Sequence, residues 1–267
     1  MTNDIFWYSG HLIKSQTLEL NINDPGLLYG ATVFTTLRVY NNSLDSSLTN
    51  WPAHCDRLFS SLKFFDWQQP DWNRVRQGAE TISLHFPVLR ITLFADGREW
   101  IIGRFLPEDL PQKQRHGVTC TIAQSELYRP LPTHKTGNYL SAWLAKNSAH
   151  NLDAQEAILV NNAGNWLETS TGNLWGWRDG SWWTPPLLEG ILPGIARSQI
   201  INWLQLKQQS VQEEPWTIGL VNSLEAIAYT NSVVEIIPIH TVKQPTGSLQ
   251  YNPYHPNFQQ IRALFLT

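Results

Sequence analysis

His134-Lys135-Thr136-Gly137-Asn138-Tyr139-Leu140 joins an extended segment to a helix, and a lysine there is held by rigid elements that can aim its amine inward. Downstream, residues 138–149 read as a helix with Leu140, Leu144 and Asn147 on one side. Upstream, residues 118–123 read as a strand. Two hairpins follow the helix: 157–160 turns at Asn162-Ala163-Gly164 into 165–168, and 173–178 turns at Asp179-Gly180 into 182–184. Pro193 then leads into an amphipathic helix over 194–208, with Ile195, Ile200, Ile201 and Leu204 at helical spacing. Strands at 226–229 and 235–242 and a helix at 257–265 complete this half.

The first half has the same mixed character. Strands are expected at 5–8, 33–40, 89–94 and 99–105, and helices at 52–65 and 72–84. Asn23-Asp24-Pro25-Gly26 reads as a turn, and Asn41-Asn42 closes a tight hairpin because asparagine tolerates the left-handed conformation. Residues 106–117 are polar, contain two prolines and read as a linker. Without a regular βαβ rhythm, the chain is expected to be α+β, with one domain over 1–117 and a second over 118–267.

Composition narrows the function classes. A net charge of -3 with no Lys/Arg run longer than two residues gives no footprint for nucleic acid or an anionic membrane. No apolar run suits a membrane span, and Met1-Thr2-Asn3-Asp4-Ile5 lacks the basic and apolar regions of a signal peptide, so a cytoplasmic location is expected. Cys55 and Cys120 are expected as free thiols, and the eight histidines show no paired metal-ligand spacing. The thirteen tryptophans are expected to serve core and interface packing.

Several segments carry groups suited to chemistry. Lys135 offers an amine, and Glu168, in Trp166-Leu167-Glu168-Thr169-Ser170-Thr171-Gly172-Asn173, offers a carboxylate among aromatic and small polar residues. Leu192-Pro193-Gly194-Ile195-Ala196-Arg197 opens a helix whose free N–H groups suit an anion. Asn231-Ser232-Val233 follows a strand and adds a hydroxyl, and Arg57 on its helix adds a guanidinium. Taken one at a time, each also has an ordinary structural reading as a solvated side chain or a Pro-initiated helix.

In this order the segments resemble the branched-chain/D-amino-acid aminotransferase and aminodeoxychorismate lyase family, the class IV enzymes of pyridoxal 5'-phosphate (PLP). The resemblance runs from Asp24-Pro25-Gly26-Leu27-Leu28-Tyr29-Gly30 through residues 54–58, 135–140, 167–175 and 192–197 to 231–238. It implies the two-domain fold type IV, like D-amino-acid aminotransferase, with a small N-terminal α/β domain and a larger C-terminal one, in a homodimer. It also implies roles. Lys135 matches the Schiff-base lysine, Glu168 the partner of the pyridine nitrogen, and Tyr139 the residue near the ring hydroxyl. Leu192 matches the residue packed on the ring, and Arg57, Ser232 and the Ile195 and Ala196 amides match the phosphate cup. Many relatives carry a hydroxyl residue where Ala196 stands.

Val33-Phe34-Thr35-Thr36-Leu37-Arg38-Val39 is similar to aminodeoxychorismate lyases, whereas the aminotransferases usually have glutamate after the phenylalanine. The Arg-x-His carboxylate trap of D-amino-acid enzymes is also missing. The implied activity is that of a 4-amino-4-deoxychorismate lyase, yielding 4-aminobenzoate and pyruvate for folate synthesis. Its small-molecule substrate is a dicarboxylate, for which Phe34, Thr36, Arg38 and Arg98 are the expected pocket residues. Arg98 sits in Ala95-Asp96-Gly97-Arg98-Glu99, which is shorter than the glycine-rich segment of many lyases. A branched-chain or D-amino-acid aminotransferase, or a non-catalytic relative, remains open at this point.

Overall fold

In β3 (Thr32–Arg38) and β4 (Val88–Phe94), every second residue is buried and faces one way: Val33, Thr35 and Leu37 in β3, Leu89, Ile91 and Leu93 in β4, all apolar but Thr35. The two strands pair antiparallel with Val33 opposite Leu93, Thr35 opposite Ile91 and Leu37 opposite Leu89. Helices α2 (Trp51–Phe64) and α3 (Trp72–Ser83) cover this face with Leu58, Leu62, Val75, Ala79 and Ile82. Asp71 caps α3 by accepting from the Asn73 and Arg74 amides. β1 (Ile5–Tyr8), β2 (His11–Lys14) and β5 (Glu99–Arg104) complete a five-stranded sheet in the order β2-β1-β5-β4-β3. The computed structural model describes residues 4–245 and 247–266; Met1, Thr2 and Asn3, which enter the leader reading, lie outside them.

The chain forms two compact units, Met1–Pro107 with His134–Tyr139, and Glu108–Thr133 with Leu140–Thr267. The segment carrying Lys135 therefore belongs with the first sheet, along the open edge of β3. The Phe34 amide donates to the Lys135 carbonyl at 2.8 Å and the Gly137 amide to the Thr32 carbonyl at 2.7 Å. This approach needs glycine, because a Cβ at position 137 would lie 2.1 Å from Thr32 Oγ1.

The Asn23–Gly26 turn continues into a short helix, α1 (Pro25–Tyr29), capped by the Asp24 carboxylate and ended by Gly30 at φ 65. Asn41 and Asn42, at φ 53 and 51, turn between Tyr40 and Ser43, as the asparagine pair leads one to expect.

The second unit contains α4 (Leu110–His116), β6 (Val118–Ile122), α5 (Leu140–His150), β7 (Glu156–Val160), β8 (Trp166–Thr169), β9 (Asn173–Arg178), β10 (Ser181–Thr184), α6 (Ile195–Leu206), β11 (Val211–Glu213), α7 (Ile218–Val221), β12 (Ala226–Asn231), β13 (Glu235–Gln244), β14 (Gly247–Gln250) and α8 (Phe258–Arg262). Its strands run β9-β12-β13-β6-β7-β8, and β8 pairs back onto β9, closing a ring. Helices α6 and α8 pack Ile200, Leu204, Phe258 and Ile261 against Trp175, Trp177 and Trp182.

One expectation needs correction. The stretch expected as a linker contains α4, where Pro111 occupies the first turn and Lys113, Arg115 and His116 complement the dipole of the last. In α5 the large side chains Leu140, Trp143 and Leu144 face outward, while Ala142, Ala145 and Ala149 are buried. Both cysteines are free. Among the described residues, no helix is long and apolar enough to cross a membrane, and no cluster of metal-ligating side chains occurs.

Candidate functional site

Strand alternation puts Phe34, Thr36 and Arg38 on the sheet face opposite α2 and α3. The register adds Arg90 and Thr92 from β4, opposite Thr36 and Phe34, and Trp100 and Arg104 from β5. Lys135 reaches this face. Its Nζ lies 4.7 Å from the centre of the Phe34 ring and 4.9 Å from that of Tyr139, and donates to the Tyr139 hydroxyl at 3.3 Å. Phe34 and Tyr139 meet edge to face, with centroids 5.5 Å apart. The amine is thus framed by two aromatic rings, one of which carries the hydroxyl that accepts from it.

The Arg90 guanidinium stacks on Phe34 at 3.5 Å, and among the described residues neither a carboxylate nor a hydrogen-bond acceptor meets it. Burial, reinforced by the Arg104 charge, brings its pKa down to about 10, still cationic at neutral pH. Thr92 Oγ1 and Trp100 Nε1, on the same face, are buried without hydrogen-bond partners among the described residues. Arg38 stacks on Tyr40 at 4.7 Å. Arg98 differs from the expectation of an available pocket cation. Its fork donates to Asp24, to Asp96 and to the Tyr8 hydroxyl. Burial opposes the Arg98 charge, but these bonds outweigh it and raise the pKa above the usual guanidinium value. Arg98 therefore braces the capping residue of α1.

In the second unit Glu168 is buried at the end of β8. One oxygen accepts from Arg129 Nε at 2.8 Å and the other from the Leu192 amide at 3.2 Å. Arg129, itself buried, also donates to the Pro132 carbonyl. Asn173, paired with Glu168 across the hairpin, donates to the Leu192 carbonyl at 2.9 Å. The first backbone bond of α6 runs from Ser198 N to the Gly194 carbonyl, so the amides of Ile195, Ala196 and Arg197 have no partner within the helix. Gly194 supplies no side-chain cap. Asn231 Nδ2 donates to the Thr171 carbonyl at 3.2 Å, while its Oδ1 accepts from the Val233 and Val234 amides. Glu168, Leu192 and the α6 terminus are thereby linked, and the turn bearing Ser232 is tied to the same hairpin.

Gly194 is fixed by a close approach, since a Cβ there would lie 1.9 Å from Asn173 Oδ1. Gly194→Ala is expected to force the helix terminus away from Asn173, at a stability cost of about 1–3 kcal/mol. Denaturant unfolding measures the effect, and an unchanged stability would remove the strained approach from the account.

Two residues were not singled out by the sequence reading. Arg129 acts through Glu168, far along the chain, and has no local signature. Arg90 did leave a signal, since a lone arginine interrupts the apolar strand Val88-Leu89-Arg90-Ile91-Thr92-Leu93 at a position alternating with the core face.

The first unit thus presents an amine beside a phenol, and the second a buried carboxylate linked to a helix terminus whose amides are uncapped. A family model described as amino-transferase class IV matches residues 32–242. The aminodeoxychorismate lyase of Vibrio harveyi is 23% identical over 92% of this chain and 94% of its own length. The branched-chain-amino-acid aminotransferase of Pseudomonas aeruginosa is 24% identical over 89% of this chain and 84% of its own. A solved structure of a hypothetical aminotransferase from Mycobacterium tuberculosis, in PLP-bound form, superimposes with a TM-score of 0.81 at 18% identity, covering 97% of this chain and 98% of that one.

Proposed function

The chain belongs to the class IV amino-transferase family, PLP enzymes that include aminotransferases and lyases, and from that premise we propose that it is a PLP-dependent 4-amino-4-deoxychorismate lyase. The observation that carries the reading is the sheet face beneath the Lys135 amine. It presents Arg38, Arg90 and Arg104 together with Thr36, and Arg90 is unpaired among the described residues. Such a face suits a substrate with two carboxylates better than the apolar side chain of a branched-chain amino acid.

In this proposal Lys135 would hold the coenzyme covalently, Glu168 would serve its ring nitrogen and Tyr139 its ring hydroxyl, and Leu192 would pack on the ring. Arg57, Ser232 and the Ile195 and Ala196 amides hold the phosphate. When bound, PLP supplies an electron sink for the carbon bearing the substrate amine. The freed amine of Lys135 takes the proton from that carbon. The bond to the enolpyruvyl oxygen then breaks as the ring becomes aromatic. Lys135 returns its proton to the departing methylene carbon, so 4-aminobenzoate and pyruvate leave with no oxidant or second substrate. Tyr139, bonded to Nζ at 3.3 Å, steadies the amine between these two transfers. Arg129 keeps Glu168 in place.

The test is incubation of the PLP-loaded protein with aminodeoxychorismate and no keto acid. Release of 4-aminobenzoate and pyruvate in equal amounts is expected; efficient transamination of branched-chain or D-amino acids without such release would assign the aminotransferase activity instead. Arg90→Met is expected to raise KM for the dicarboxylate by about 10- to 100-fold, the worth of a charge-assisted contact, with a smaller change in kcat. An unaltered KM would take Arg90 out of substrate binding.

A further inference from the structure

The two threonines of Phe34-Thr35-Thr36 have opposite surroundings. Thr36 lies on the face with Arg90, whereas Thr35 is fully buried on the face covered by α2. Arg57 Nη2 donates to Thr35 Oγ1 at 2.6 Å, and the same oxygen lies 2.5 Å from Nδ1 of His54, one turn earlier on α2. A hydroxyl has one proton and two lone pairs. With one lone pair taken by Arg57, the proton is available to His54 Nδ1, which fits a neutral ring with its own proton on Nε2. Burial, helped by the Arg57 charge, holds the His54 pKa well below its ordinary value, so the ring stays neutral. Neither Thr35 nor His54 bears charge, so the contact orients the guanidinium without neutralising it.

Resting on the reading of Arg57 as a phosphate ligand, we infer that Thr35, backed by His54, is a positioning residue that fixes the Arg57 guanidinium and sets the preference for phosphorylated over unphosphorylated coenzyme. A guanidinium recognises a phosphate through two parallel N–H donors in one plane, so a rotation of that plane loses geometry as well as energy. The carrier of the effect is one oxygen atom, and its removal acts on the phosphate end alone.

The experiment titrates the full chain, stripped of coenzyme, with PLP and separately with pyridoxal, read by absorbance and tryptophan quenching. Thr35→Val is expected to weaken PLP binding by about tenfold, the worth of one oriented hydrogen bond, and to leave pyridoxal binding unchanged. Thr35→Ser restores the oxygen and should return PLP affinity to the wild-type value. Arg57→Ala should lower PLP affinity more, by about 100-fold, again sparing pyridoxal. Thr35→Ala carries the same expectation as valine should the latter not fold. Equal weakening of PLP and pyridoxal by the Thr35 variants would mean a general packing role, and no weakening of either would mean no role; both overturn the inference. If Arg57→Ala keeps the wild-type preference for PLP, the phosphate role of Arg57 fails first, and the inference falls with it.

Discussion

Lys135→Ala is expected to abolish measurable 4-aminobenzoate release, a fall of about 10³–10⁴-fold or more, because one amine is asked both to hold the coenzyme and to move protons. The backbone around it should survive. The segment is pinned by hydrogen bonds from its main chain to Thr32 and Phe34, and these do not involve the Lys135 side chain. A folded but inactive protein is therefore the expected product, with a thermal transition near that of wild type. Borohydride treatment of the loaded protein gives a second readout. Wild type should retain the coenzyme mass on the peptide containing Lys135, and the variant should retain none. A reduced adduct on Lys146, or normal turnover by the alanine variant, would refute the assignment.

Arg129→Met should be the most destabilising single change. Glu168 and Arg129 are almost fully buried and face one another at 2.8 Å, so removing the guanidinium strands a carboxylate away from water. The expected loss is about 3–5 kcal/mol by denaturant unfolding. The paired change Arg129→Met with Glu168→Leu removes both charges and should recover most of that stability, because two apolar side chains carry no uncompensated charge. Activity should not return with it if, as proposed, Glu168 serves the ring nitrogen. This separation of folding from turnover is the useful feature of the pair. A double variant no more stable than the single one would show that the ion pair is not the source of the loss.

The helices were legible where caps and periodicity agreed. Pro193-Gly194 before α6 marks its start, and the buried residues of α3 and α6 recur at helical spacing. α4 was hidden because Leu106 to Gly117 carries the prolines and polar residues that also mark linkers, and only Pro111 at the first turn with cations at the last distinguishes the two. The outward face of α5 was hidden for a different reason. Its alanines pack closely under β7, and tertiary fit overrode the rule that the larger apolar side chain turns inward. At the site, Lys135 and Glu168 stood out by type and neighbourhood, but their surroundings did not. Arg98 reads as a pocket cation until Asp24, distant in sequence, is seen to accept from it. Thr35 and Thr36 read alike until strand alternation sends them to opposite faces.

The ring of strands in the second unit has a consequence for how the polypeptide is made. β6 lies between β7 and β13, parallel to both, so its second neighbour is the next-to-last strand in the chain. Loop-closure entropy must be paid before that pairing forms, and the ribosome must have delivered nearly all of the sequence. Strands β1 to β5 face no such delay, because each finds its partners within the first hundred or so residues. During synthesis the first sheet can assemble early, while β6, paired to β7 on one side, waits with its other edge unpaired until β13 arrives, and that interval is when a chaperone would have most to shield.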